Sequence, residues 1–211
     1  MNCLIIAGAP EYDIDLIKEQ SQKSDLIICA DKGYTYAKIA GVKPDIVIGD
    51  FDSCTDEVSG DFETVKLNTD KDFTDTHICV DKALETGCKE ITILSAVGGR
   101  LDHTLANLYL LGYIANKGGR GVLLSKKERI ELLTKGKTVF SGMGSLTFSV
   151  FPFGCDRVTL SIKGAKYELD DYIMKSNVPI GVSNLFDSDD CEIEITDGRA
   201  LVIINLNNEF L

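Results

Sequence analysis

Apolar and polar positions alternate in blocks along the first ~125 residues, in the rhythm of strands separated by helices. Cys3 to Ala7 is an apolar run of strand length, and Glu11 to Gln22 has the spacing of a polar-faced helix. Leu26 to Ala30 reads as a second strand, followed by a short helix from Tyr34 to Ala40 that Gly41 stops. Ile46 to Ile48 is a third strand, delivering Gly49-Asp50, and Thr64 to Leu67 is a fourth. A helix is predicted from Phe73 to Glu85, ended by Gly87, then a strand from Ile91 to Ala96 that runs into Gly98-Gly99. The next helix, Asp102 to Asn116, carries Leu105, Leu108, Tyr109, Leu111 and Ile114. It is apolar nearly all round, so a central, buried position is expected. Val122 to Leu124 closes the series, which predicts a mostly parallel sheet with flanking helices.

From Lys126 the pattern changes. Short β-like runs are separated by Gly, Asn and Asp turns: Leu146 to Phe151, Val158 to Ile162, Tyr167 to Leu169, Cys191 to Ile195 and Leu201 to Asn205. No long amphipathic helix interrupts them. Closely spaced short strands predict an antiparallel β-sandwich or partial barrel. The expected fold is therefore α/β over residues 1–125, followed by a C-terminal antiparallel β-sandwich domain over 126–211.

The net charge of −11 makes nucleic acid and anionic membrane poor partners. No apolar stretch approaches the ~18 residues that span a bilayer. The first apolar run lacks a positively charged start, so no signal peptide is expected. Seven cysteines are scattered with no Cys-x-x-Cys pair, and Cys3, Cys29 and Cys79 lie in apolar runs. Reduced, buried thiols in a cytoplasmic protein are the expectation. Only two histidines, His77 and His103, are available for zinc.

Three acid-rich segments carry the candidate chemistry: Gly49-Asp50-Phe51-Asp52-Ser53, Asp70-Lys71-Asp72-Phe73-Thr74-Asp75 and Gly98-Gly99-Arg100-Leu101-Asp102-His103. Each follows a strand-like run, and in a parallel sheet those strand ends share the edge where such folds bind nucleotides. Carboxylates alone would repel a polyphosphate. With Mg²⁺ they become a site for one, because that ion is held by a few carboxylates plus phosphate oxygens. If the chain stays extended, Asp50 and Asp52 point to one side and can share the ion; ordinary turn chemistry is the alternative. Asp72 as an N-cap with Asp75 three residues on is an alternative for the second segment, but it leaves Asp70 and Lys71 unexplained. In the third, two glycines permit close backbone approach, the helix start offers free N–H groups, and Arg100 can fork onto phosphate. Asp102 can equally be an N-cap, and His103 a core histidine.

Familiar phosphate loops are excluded by spacing. Gly136-Lys137-Thr138 lacks the earlier glycine of a P-loop, since position 131 is Glu131. Gly142-x-Gly144 lacks the third glycine of a dinucleotide fingerprint, since position 147 is Thr147.

Taken together and in this order, the motifs resemble those of bacterial thiamine pyrophosphokinases. The matching segments are Gly49 to Ser53, Lys71 to Asp75 and Gly98 to Asn107, then Val158-Thr159-Leu160, Gly164 to Tyr167 and Gly181 to Asn184. The resemblance covers nearly the whole length. It implies transfer of a diphosphate from ATP to the thiamine hydroxyl with release of AMP. It also implies a homodimer with active sites shared between subunits. It places Asp50, Asp52 and Asp72 at Mg²⁺, with Asp75, Arg100 and Asp102 in the catalytic set. Around ATP it places Asp31, Lys32, Ser53, Lys71, Thr74, Gly98, Gly99, Arg100, His103 and Asn107, and near thiamine Gly181, Ser183 and Asn184. Many relatives read Asp-Gly-Gly where this chain reads Asp31-Lys32-Gly33, and Lys32 is an added candidate phosphate contact. Asp72 and Asp102 are both candidates for accepting the hydroxyl proton. The rival readings are a metal-dependent nucleotide phosphohydrolase and a non-catalytic nucleotide or thiamine sensor.

Overall fold

The computed structural model describes residues 1–51, 59–68 and 72–207. They fall into two compact units, Met1–Lys126 and Lys127–Leu211.

In the first unit the strands are β1 (Asn2–Ile6), β2 (Leu26–Ala30), β3 (Ile46–Gly49), β4 (Glu63–Lys66), β5 (Glu90–Leu94) and β6 (Arg120–Leu124). All pair in parallel, in the order β6-β5-β1-β2-β3-β4. Four helices connect them: α1 (Ile14–Ser21), α2 (Gly33–Ala40), α3 (Asp75–Glu85) and α4 (Leu101–Asn116). Helices cover both faces, so the central strands are continuous apolar runs. The alternation of β1 sorts those faces. Leu4 and Ile6 pack with Ile17 of α1 and Tyr36, Ala37 and Ala40 of α2. Cys3 points the other way, to Cys88 just past α3, and burial pushes its thiol well above the ordinary range. Sequence order runs outward from β1 to β4, then returns to β5 on the far side of β1. The strand order thus reverses between β1 and β5, the position where open α/β sheets leave a crevice.

Caps fix the helix starts. Asp13 accepts from Leu16 N–H at 2.9 Å, so α1 begins at Ile14 and not at Glu11, as the periodicity suggests. Thr74, not Asp72, caps α3 by accepting from His77 N–H at 3.2 Å. The expected burial of α4 is corrected as well. Its inward face is Asn107, Leu110, Leu111 and Ile114, while Leu101 (81%), Leu105 (46%) and Tyr109 (58%) are exposed. A helix laid on a sheet buries one side only. Leu111 and Ile114 sit over Gly121 of β6, which has no side chain to hold them off.

The second unit contains β7 (Glu128–Leu133), β8 (Gly136–Ser141), β9 (Thr147–Pro152), β10 (Arg157–Lys163), β11 (Leu169–Lys175), β12 (Asn184–Leu185), β13 (Asp190–Asp197) and β14 (Ala200–Asn205). Antiparallel ladders join them as β12-β9-β14-β7 and β11-β10-β13-β8. One core serves both layers: Phe148, Val150, Val202 and Ile204 from the first meet Leu160, Ile162, Ile193 and Ile195 from the second. This is the expected antiparallel sandwich. Tyr167, expected inside a strand, precedes β11. Its backbone is bonded by a side chain instead of a ladder, as described below.

Candidate active site

Parallel pairing puts the ends of β1, β2, β3 and β5 at one edge, and there the backbone leaves its ordinary conformations. Asp31, Phe51 and Ser95 all have positive φ, at 46°, 65° and 52°, each one or two residues past a strand. Such strain concentrates at functional sites. At Phe51 the chain is therefore not extended, as it must be for Asp50 and Asp52 to share a side. Asp52, Ser53 and Lys71 lie outside the described residues.

A cavity of about 340 Å³ opens at this edge, beside the reversal between β1 and β5. Ala7 to Pro10 after β1, Ala30 to Lys32 after β2, Thr74 to Thr76 at the start of α3, and Gly98, Arg100, His103 and Asn107 line it. The structure thus brings Asp31, Lys32, Thr74, Asp75, Gly98, Arg100, His103 and Asn107 together. Asp50, Asp72, Gly99 and Asp102 do not line the cavity. The loop from Ala7 to Pro10 was not singled out in the sequence. Its signal is Gly8-Ala9-Pro10 directly after an apolar run, the same strand-then-glycine punctuation as Gly98-Gly99.

Local chemistry explains each wall. Gly98 and Gly99 have φ of 89° and 70° and pass against Glu11 and Pro10; a Cβ on either would come within 2.9 Å of those side chains. The glycine pair therefore lets the loops after β1 and β5 close on each other. Asn107, buried on α4, donates from Nδ2 to Ala96 O at 2.7 Å and ties that loop to the helix. Arg100 pairs with a carboxylate of its own segment. Its Nε and Nη2 fork onto the two oxygens of Asp102, at 3.1 and 2.6 Å. That pairing holds the Asp102 carboxyl below the usual carboxylate range and the Arg100 guanidinium above its own. Asp102 also accepts from His103 N–H, one position inside the helix start, so it is not the N-cap. His103 is exposed and not a core histidine.

Asp31 and Asp75 put hard oxygen donors on the wall, of the kind Mg²⁺ takes together with phosphate oxygens. Among the described residues, no group of three or more His, Cys, Asp or Glu stands close enough to hold a metal by itself. One or two carboxylates plus substrate phosphates is the ion's ordinary environment, so this donor set fits it.

The second unit has a cavity of about 390 Å³ with a different lining: Tyr167, Tyr172, Met174, Ile180, Gly181 and Asn184 among others. It is apolar and aromatic with one amide. Gly181 and Asn184 reach it; Ser183 lies between them with φ 59°, and its N–H donates to Ser149 Oγ at 3.1 Å.

Comparison with known proteins distinguishes the two regions. A family model described as thiamin pyrophosphokinase, catalytic domain, matches residues 17–122. A second, described as thiamin pyrophosphokinase, vitamin B1 binding domain, matches residues 141–200. The thiamine pyrophosphokinase of Bacillus subtilis is 29% identical over 186 residues, covering 85% of this chain and 87% of its own. Thiamine pyrophosphokinase 1 of Oryza sativa is 30% identical over 181 residues, covering 79% and 67%. The crystal structure of the Bacillus subtilis protein superposes with a TM-score of 0.86 at 26% identity, over 98% of this chain and 100% of that one. That of Geobacillus thermodenitrificans gives 0.87 at 22% identity, over the full length of both, and shows the same fold. Two family models matched in order and relatives aligned across both units leave one assignment: the chain belongs to the thiamine pyrophosphokinase family.

Proposed function

We propose that this enzyme, a diphosphate transferase by its family, takes the group from ATP and passes it to the hydroxyl of thiamine, releasing AMP. The observation that carries the reading is the cavity at the strand-order reversal, where Lys32, Arg100 and the glycine loop stand beside Asp31 and Asp75. Oxygen of the thiamine hydroxyl bonds to the β-phosphorus, the bond from that phosphorus to the α-phosphate bridging oxygen breaks, and AMP departs. Catalysis of such a step is mainly positioning and electrostatic stabilisation. In this reading the Gly98 loop and the start of α4 cradle phosphate with backbone N–H groups. Lys32 and the Arg100 fork balance charge on the phosphoryl oxygens. Asp31 and Asp75, with Asp50 and Asp72 near the same edge and Asp52 of the same sequence motif, would hold Mg²⁺ beside the polyphosphate. When bound, the ion supplies Lewis-acid neutralisation of that charge. A carboxylate, Asp72 or Asp102, takes the hydroxyl proton. The apolar cavity of the second unit seats thiamine, whose flat rings suit Tyr167 and Tyr172.

Two further parts of the reading have their own support. A homodimer that shares sites between subunits fits the exposed apolar side chains Leu101, Leu105 and Tyr109 of α4 and Tyr167, Ile180 and Val182 of the second unit. A cytoplasmic location fits six described cysteines that are reduced thiols, five of them buried. Phosphorus NMR of thiamine, ATP and Mg²⁺ with the enzyme tests the chemistry. Thiamine diphosphate and AMP are the expected products. ADP or free phosphate without a thiamine product would turn the assignment to a hydrolase, and no product at all to a sensor.

A further inference from the structure

Asn184 lines the apolar cavity, yet its amide is already engaged. Its Oδ1 accepts from Tyr167 N–H at 3.0 Å and from Leu185 N–H at 2.9 Å, and its Nδ2 donates to Tyr167 O at 2.8 Å. Both backbone groups of Tyr167 are thus satisfied by one side chain, in the manner of a strand neighbour. The surrounding backbone continues the pairing: Lys166 N–H donates to Leu185 O at 2.9 Å and Asp187 N–H to Gly164 O at 3.1 Å. Asn184 is delivered to this place by two unusual residues. A Cβ on Gly181 would lie 1.9 Å from Val150 O, so only glycine lets this segment approach β9 so closely. Ser183, with φ 59°, then turns the chain. Tyr167, meanwhile, is 61% exposed at the rim of the cavity. Lys166 Nζ stands 5.6 Å from its ring centroid, and Lys166 N–H is itself bonded to Leu185 O, so the ring and the cation over it both hang from the clamped backbone.

We infer that Asn184 is a positioning residue for the acceptor, acting through Tyr167: it clamps the Tyr167 backbone so that the ring forms a fixed wall of the apolar cavity. The inference rests on the reading of that cavity as the thiamine seat. It gives Asn184, expected near thiamine, a role through Tyr167, since the amide keeps a single N–H beyond its bonds to the backbone.

The chain has no tryptophan, so a Tyr167→Trp variant carries a single fluorescent reporter at the rim. In that background Asn184→Ala is expected to lower the emission anisotropy, which reports nanosecond freedom of the ring. With Tyr167 in place, Asn184→Ala is expected to raise the thiamine KM on the order of tenfold, the scale of one aromatic contact. The ATP KM and the melting midpoint should stay near wild type. Asn184→Asp keeps the two accepting bonds and should fall between. In a Tyr167→Ala background, Asn184→Ala should add nothing further, because the wall it positions is gone. Multiplying effects of the two substitutions would overturn the inference and put Asn184 in direct contact with thiamine. Unchanged anisotropy would overturn it too, by showing that the clamp does not hold the residue. A normal thiamine KM for Tyr167→Ala alone would remove the cavity as the thiamine seat and the inference with it, while the product assay would still report the transferase.

Discussion

At the scale of single residues, Arg100 is held ready by a partner of its own. Its fork lies on Asp102 across the surface of the α4 start, and a planar five-donor group can share itself between that carboxylate and an arriving phosphate. A lysine has neither the plane nor the paired donors. Arg100→Lys is therefore expected to lower kcat by roughly tenfold to a hundredfold, with a smaller change in thiamine KM. Steady-state kinetics with each substrate varied checks this, and an unaltered kcat would reduce Arg100 to a surface residue. Eight of the residues picked out by motif line the one cavity. They were legible because glycine, arginine and acids after an apolar run have few other uses. Ala7 to Pro10 escaped notice because a wall made of backbone leaves no charged signature. Asn184 was noticed for its place in a motif, but its role as a clamp depends on a partner seventeen residues away that no local pattern reveals.

Single elements show where periodicity alone stops. Helix α1 begins where Asp13 can cap it, and that cap is a test of the argument. Asp13 is held below the usual carboxylate range first by the Leu16 N–H and then by attraction to Lys126. A carboxyl depressed in the folded state stabilises above its unfolded value, near pH ~3.9, and that stabilisation disappears as pH falls through the folded value. Asp13→Ala is expected to cost about 1 kcal/mol at pH 7 and much less at pH 3, whereas Asp13→Asn keeps the cap at both. Urea melts at the two pH values measure it, and an equal loss at both would mean that charge on Asp13 contributes nothing. The α4 periodicity, in contrast, marks an apolar helix without saying what surrounds it. Counting Leu and Tyr around a helix says how much of it prefers cover, not whether the same chain supplies that cover. Tyr167 to Leu169 resembles a strand because an apolar-polar-apolar alternation marks the rim of a cavity as well as a ladder.

For the whole molecule, the division into alternating and then uninterrupted strand patterns made the fold class readable. Parallel strands need long crossovers and antiparallel ones need only turns, and turn residues are visible in composition. Assembly is less readable, since in sequence an apolar residue of a core looks the same as one at an interface. If sites are shared between subunits, two defective chains should repair each other. Asp75→Asn disables the phosphate cavity, and Tyr167→Ala weakens the apolar one, so activity is read at thiamine well below its KM. Heterodimers isolated with two different affinity tags should recover about half of the wild-type activity, because one of two sites carries both defects and the other none. Heterodimers as inactive as either parent would place each site within one subunit.

The place of β1 has a consequence for how the chain comes into being. Cys3 pairs with Leu26 on one side and with Ile91 on the other. A ribosome delivers the first neighbour early and the second only after two further strands, β3 and β4. Until then the middle of the future sheet presents a bare apolar edge, complete on one flank and waiting on the other. Pairings of such sequence separation are slow to close, and an open edge is what aggregation recruits. The reversal of strand order that leaves room for a ligand therefore also sets the most exposed moment in the biogenesis of the protein.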